Sequence, residues 1–328
     1  MPSAGILALD GCYASSLAGF ADVLQVANAH LCKQRRQTSS LFKWSFISLS
    51  SQAVTASNGL PIAVSDASTG TPFDLIFIPS IHYRGHRDFG GFLNAHTGAT
   101  QWLAEQWHNG SLLAANCTGT FLLAQTGLLD EREATTTWWL EQQFRKRYPK
   151  VNLRIQPVIT EVDRLMCGGA SASYLLQAVR VVNRFCGSVI ASQTAKTMLI
   201  DVSQTSQSPY LPLLPEQTHA DPMIARAQSW LAEHLAEPLL LRELAAFLTV
   251  SERTLIRRFN AALGEPPLTY IQNLRIDSAR AMLETGNMSV ERIALCVGYS
   301  DTSSFARLFR QRMGLSPRNY RSRFQFAA

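Results

Sequence analysis

Apolar and polar positions along this chain change their period partway. Over the first two hundred residues, short apolar runs of strand length alternate with stretches that are apolar at helical spacing. GILALD (5–10) predicts a buried strand, and SSLAGFADVLQVANAHLC (15–32) predicts a helix after it. FKWSFISLS (42–50), FDLIFIPS (73–80) and SLLAANC (111–117) predict further strands, the second stopped by Pro79. TGATQWLAEQWHNG (97–110) predicts a helix ending at Asn109-Gly110, and residues 171–199 predict one or two helices. Strands alternating with helices imply βαβ units, hence a doubly wound, flavodoxin-like parallel sheet.

Between Ser203 and Pro222 the pattern breaks. Prolines 209, 212, 215 and 222 stand among small polar residues, and a proline-rich stretch forms neither a continuous helix nor a central strand. The chain therefore divides into an α/β domain (1–203), a semi-rigid linker (204–221) and a further domain (222–328). Beyond the linker every segment is helix-length and amphipathic, so that domain is expected to be all-α.

The all-α domain contains an internal repeat. Leu244-Ala245 matches Ile293-Ala294 at a separation of 49, and Leu255, Phe259, Gly264, Pro267 and Tyr270 match Phe305, Phe309, Gly314, Pro317 and Tyr320 at 50. The one-residue slip falls in a turn. Each unit reads as a short helix, a tight turn and a longer helix. Ser251 and Ser300/Asp301 are suited to cap the longer helices, and Gly264 and Gly314 to end them. Segment 268–285 predicts a helical connector. Two such units are too few for a solenoid, but they suit paired helix-turn-helix modules, whose second helices enter the major groove of DNA. The residues placed to meet DNA are Ser251, Glu252, Arg253, Thr254, Arg257 and Arg258 in the first unit. In the second they are Asp301, Thr302, Ser303, Ser304, Arg307 and Arg310.

Charge supports that reading. The net charge of the 328 residues is +6, and the segment from Met223 onward holds 14 arginines, no lysine and 9 acids. After Asp301 come six arginines and no acid. Such a segment suits a polyanion, here double-stranded promoter DNA. With 46% hydrophobic and 16% charged residues the chain has material for real cores. No run approaches the ~20 apolar residues of a bilayer span, and no membrane partner is expected. The opening MPSAGILALD lacks the basic start of a secretory signal. Six cysteines (12, 32, 117, 167, 186, 296) show no CxxC pair, which disfavours zinc and disulfide frameworks and suits a cytoplasmic setting. No metal and no cofactor are expected.

The last hundred residues resemble the AraC/XylS family of transcription regulators. The likeness rests on Ile293-Ala294, Gly298-Tyr299, Phe305, Phe309, Gly314-Leu315-Ser316-Pro317 and Tyr320-Arg321, and on the matching run from Ser251 to Phe259. It implies that two recognition helices reach successive major grooves on one DNA face. It further implies an activator with RNA polymerase as a partner.

In the α/β domain, Cys117 follows an apolar strand and precedes Gly119, which places it at a strand-to-helix elbow. A helix N-terminus lowers a thiol pKa, so a cysteine nucleophile is one reading. It would need a base, and the residue after the cysteine is Thr118. His82 and His86 lie in the loop IHYRGHRDFGG, at the sheet edge that also carries Cys117. The first two hundred residues resemble the PfpI-type domain of the class I glutamine-amidotransferase-like superfamily. NCTGTFLLAQTGLLDEREATTTWW (116–139), Asp22-Val23 with Ala27-Asn28, and Cys167-Gly168-Gly169-Ala170 carry this likeness. Related regulators have His where this chain has Thr137, and catalytic members have an acid where it has Tyr13-Ala14-Ser15-Ser16. The likeness therefore implies a non-catalytic sensor, with Cys117 as a vestigial nucleophile position.

A sensor pocket is expected at the carboxyl ends of the strands, formed by Asp10, Tyr13, Ser16, Ser80, Ile81, Cys117, Thr118, Trp138 and Gly169. The N–H groups of Cys117 and Thr118 would suit a carboxylate. Trp138 or Trp139 would face a cationic amine, or both would be core. The expected protein is a homodimer, joined through its first domain, that senses a small nitrogenous effector. The alternative is an active cysteine hydrolase or hydratase fused to a DNA-binding domain.

Overall fold

A computed structural model describes residues 2–35, 42–49, 53–66, 72–214, 219–238 and 240–325. Pro215 of the expected linker lies outside the described residues. The chain divides into two units, Met1–Gln207 and Ser208–Ala328.

In the first unit the order is β1 (Ser3–Leu7), α1 (Ala14–Arg35), β2 (Lys43–Ser48), β3 (Val54–Thr55), β4 (Pro61–Ile62), β5 (Ser65–Asp66), β6 (Leu75–Ile78), α2 (His86–Ala95), α3 (Thr97–His108), β7 (Leu112–Asn116) and α4 (Gly119–Gln125). It continues with β8 (Glu133–Ala134), α5 (Glu141–Arg147), β9 (Asn152–Leu153), β10 (Ile159–Val162), β11 (Leu165–Gly168), α6 (Tyr174–Cys186) and α7 (Ser188–Thr197). The main sheet runs β10-β11-β7-β6-β1-β2-β5. Its pairs are parallel except β10 with β11, which is antiparallel.

The strands are apolar on both faces because both are covered. In β6, Leu75 and Phe77 pack into one core with α1, α6 and α7, while Ile76 and Ile78 pack into a second with α2 to α5. Alternation with period two thus feeds two cores at once. Phe20 of α1 stacks on Phe77 with centroids 4.1 Å apart. Gly187, with φ of +84°, breaks 171–199 into α6 and α7, since a left-handed residue cannot continue a helix.

The expected doubly wound parallel sheet is present, with one antiparallel edge where Asp163, at φ +54°, turns β10 back onto β11. Two expectations are corrected. His86 is not in a loop but opens α2, whose buried Phe89 and Leu93 supply a helical face. Residues 204–207 are not linker: the N–H of Val158 donates to Thr205 O at 3.1 Å, that of Gln207 donates to Gln156 O at 2.6 Å, and Gln207 is buried.

The second unit is all helix among its described residues: α8 (Pro222–Glu233), α9 (Leu241–Phe247), α10 (Glu252–Leu263), α11 (Pro267–Thr285), α12 (Val290–Cys296), α13 (Thr302–Met313) and α14 (Pro317–Phe324), after a single 3-10 turn at Ser208–Tyr210. Asp221, Ser251, Ser289, Asp301 and Ser316 each cap a helix through the side chain. Gly264 and Gly314, both left-handed, end α10 and α13. Each repeat has its own core, one around Leu255 and Phe259, the other around Phe305 and Phe309. Helix α11 joins them, giving Tyr270 and Ile271 to the first and Ile276, Ala279 and Leu283 to the second. Between these positions Arg275 donates to Leu235 O at 2.9 Å and to Glu237 O at 2.5 Å.

Candidate nucleic-acid interface and ligand pocket

Burying Leu255 and Phe259 turns the opposite face of α10 to solvent, and Phe305 and Phe309 do the same for α13. Arg253 and Arg257 are exposed on α10, and Ser303, Arg307 and Arg310 on α13. The 50-residue register carries Arg253 onto Ser303 and Arg257 onto Arg307. Glu252 is exposed in the first turn of α10, and Thr302 is half-buried in that of α13. Ser251 and Asp301 are exposed, but both work as caps: Ser251 Oγ accepts from Thr254 N at 3.2 Å, and Asp301 accepts from the N–H groups of Ser303 and Ser304. The hydrogen bonds from Ser304 hold the Asp301 carboxyl below the usual carboxylate range. Thr254 Oγ1 is held by Ser251 at 3.0 Å, and Ser304 lies 3.5 Å from the Arg307 guanidinium.

Arg258 is placed differently from its neighbours. Its guanidinium meets Asp221 at 2.9 and 2.5 Å, a two-point pair that ties α10 to the cap of α8. The pairing holds the Asp221 carboxyl below its ordinary pKa. The two residues are 37 positions apart, so nothing local in the sequence announces the contact.

In the first unit, Cys117 sits in the strained elbow between β7 and α4, at φ +54°. It is 1% exposed, and burial pushes its thiol up to about 11. The expected lowering by a helix N-terminus is overturned, because desolvation outweighs the Thr118 N–H. The Cys117 N–H is not available to a carboxylate either: it donates to Gly168 O at 2.9 Å. Thr118, in the position after the cysteine, binds Ile81 twice, accepting from its N–H and donating to its carbonyl, each at 2.7 Å. Ser80 bonds the buried Asn116, and Thr136 Oγ1 donates to Cys117 O at 2.7 Å. The neighbouring Cys167 thiol is likewise pushed up by burial, to about 12.

An accessible pocket lies outside this sealed centre, beyond the ends of β1 and β6. It measures about 460 Å³, and Asp10, Thr55, Ile81, His82, Arg84 and Asp88 are among its walls. Of the nine expected ligand residues it includes Asp10 and Ile81. Asp10 also accepts from Thr55 N at 2.8 Å, and the Tyr13 hydroxyl lies 3.2 Å from His82 Nδ1. Ser16, Ser80, Cys117 and Thr118 are buried. Trp138 is half-buried and Trp139 is 45% exposed, their rings edge-to-face at 5.4 Å. His86 lies in another cleft, of about 540 Å³, with Phe121 and Arg147. Gly169 is backed by the side chain of Gln207, a residue that the proline-rich composition of its surroundings masked. Among the described residues no group of three or more His, Cys, Asp or Glu could hold a metal ion. No helix there is long and apolar enough to cross a membrane.

Comparison with known proteins follows the same division. Residues 26–196 match the DJ-1/PfpI family, and residues 244–323 match a helix-turn-helix domain family. The HTH-type transcriptional regulator CdhR of Pseudomonas aeruginosa is 28% identical over 302 residues, spanning 90% of this chain and 84% of that protein. The HTH-type transcriptional regulator GbdR of the same species is 26% identical over 324 residues, spanning 97% and 84%. The crystal structure of a putative transcriptional regulator protein from Vibrio parahaemolyticus superposes with a TM-score of 0.52 at 15% identity. It covers 61% of this chain and 99% of that one, a likeness of fold alone.

Proposed function

Because the chain belongs to the DJ-1/PfpI family and carries an AraC-type helix-turn-helix domain, it is a DNA-binding transcription regulator, and we propose that a small molecule bound by its first unit controls it. The observation that carries this reading is the pair of like-built helices α10 and α13, each turning exposed arginines outward over its own core. Arg257 and Arg307 read bases, since a guanidinium bonds guanine at two points in the major groove. Ser251, Asp301 and Arg258 position those helices, while Glu252, Arg253, Thr254, Thr302, Ser303, Ser304 and Arg310 flank the reading residues.

The first unit binds its effector at the carboxyl edge of the sheet, where Asp10, Ile81 and His82 line the pocket. A carboxylate beside an imidazole suits a small polar ligand carrying nitrogen. The unit does not catalyse: a thiol at 1% exposure with its pKa raised to about 11 is a poor nucleophile. The protein acts in the cytoplasm as a homodimer joined through this unit. It activates transcription by engaging RNA polymerase.

Gel retardation with full-length protein and promoter fragments of its own genome tests the central claim. Arg257→Ala and Arg307→Ala are each expected to weaken operator binding by roughly 1–3 kcal/mol and to relax base preference at a few positions. Full affinity and unchanged preference in both variants would overturn the assignment of the reading face.

A further inference from the structure

The last residues of the first unit place a side chain deep inside it. Gln207 is 2% exposed, and Ser208 opens the second unit. The Gln207 carboxamide lies over Gly169, where any Cβ would overlap it. Its Nε2 faces four acceptors: Ile155 O at 2.9 Å, and Thr135 Oγ1, Thr136 O and Pro157 O at 3.3 Å each. Its Oε1 accepts from Ala170 N at 3.0 Å. Every one of these partners is a main-chain group or a hydroxyl.

This pattern selects one chemical class. A carboxylate has no N–H for the four acceptors. A guanidinium or ammonium has no acceptor for the Ala170 N–H. A primary carboxamide satisfies both sides, because its nitrogen donates and its oxygen accepts. The polypeptide that brings Gln207 in is tied by Gln207 N–H to Gln156 O at 2.6 Å and by Val158 N–H to Thr205 O at 3.1 Å, with a bridge between Pro157 and Ser206.

We propose that this socket is a binding site for small primary carboxamides, and that Gln207 occupies it as an internal latch that such a ligand displaces. Displacement frees residues 205–207, the stretch that leads into the DNA-binding unit. The inference rests on the reading of the first unit as the effector-responsive part, and it gives that unit a route to the second. A ligand that must first displace Gln207 binds more weakly than it would to an open socket.

The test uses full-length protein. Gln207→Ala keeps Cβ, and acetamide has the size of the group removed. Calorimetry and thermal shift are expected to show acetamide binding to Gln207→Ala at least about tenfold more tightly than to the unaltered protein. Acetate and guanidinium are expected to bind neither. Gln207→Glu is repelled by the four acceptors, and Gly169→Ala puts a methyl where the carboxamide lies, so adding Gly169→Ala to Gln207→Ala is expected to abolish acetamide binding. In the unaltered protein, saturating acetamide is expected to speed hydrogen exchange at the Gln207 and Val158 amides. Failure of acetamide to bind Gln207→Ala, or binding without faster exchange at those two amides, overturns the proposal. Operator retardation by the unaltered protein is measured alongside. If it persists while acetamide fails, the latch is wrong and the regulator assignment stands. If retardation itself fails, the functional reading is wrong regardless of the amide.

Discussion

Reaction of Cys117 with a disulfide reagent separates a sensor from a catalyst. An ordinary cysteine has a pKa of 9.0, and burial raises that of Cys117 to about 11. At pH well below 9 this lowers the thiolate fraction by about 100-fold. A more basic thiolate is a better nucleophile, and a Brønsted slope near 0.4–0.5 returns roughly tenfold. Ionisation alone therefore slows the reaction by about tenfold. Exposure of 1% adds to this, because the reagent must wait for the elbow to open. The assay follows a pyridyl disulfide at pH 7 to 10, with each cysteine mapped by mass spectrometry. The unfolded chain in urea is the reference. Native Cys117 is expected to react at least about tenfold more slowly than unfolded Cys117, with no rate plateau before pH 10. A native rate above the unfolded one, or a plateau below pH 9, would refute the reasoning and revive the cysteine hydrolase.

Other consequences follow from the same structure. The raised thiol pKa means the folded chain holds this proton more tightly than the unfolded chain. Its contribution is complete below pH 9 and is lost as pH rises toward 11, by about 3 kcal/mol in all; thermal melts from pH 8 to 10.5 are expected to fall less steeply for Cys117→Ser. Arg258→Ala is expected to lower the stability of the second unit through its half-exposed pair with Asp221, with a coupling of about 0.5–1 kcal/mol in a double-mutant cycle. It should leave base preference unchanged in competition retardation, and altered preference would return Arg258 to the reading face. Phe309→Ala empties a fully buried position and is expected to cost about 3–5 kcal/mol by urea unfolding.

The repeated second unit was legible in the sequence because its information is local. Ser251 and Asp301 cap helices through bonds that span two or three residues. Gly264 and Gly314 end helices by their own backbone freedom, and apolar residues four apart mark one helix face. The central strands were legible for the same reason, since 75–78 and 112–115 are apolar throughout. Residues 86–91 read as loop because His86, Arg87, Asp88 and two glycines hide the helical spacing of Phe89 and Leu93.

What the sequence determined by itself was the order and type of elements, the excess of arginine near the C-terminus and the identity of each group at the elbow. Tertiary structure alone decided which of those groups meet solvent. Arg258 and Asp221 pair across 37 residues, and Gln207 reaches Thr135 across 72. Burial of Cys117 is summed over β7, the Ile81 loop and the 135–137 segment. A helix or strand is set by neighbours within a few residues, whereas desolvation and ion pairing depend on what the whole fold brings close. So an elbow that reads as reactive along the chain is sealed in space.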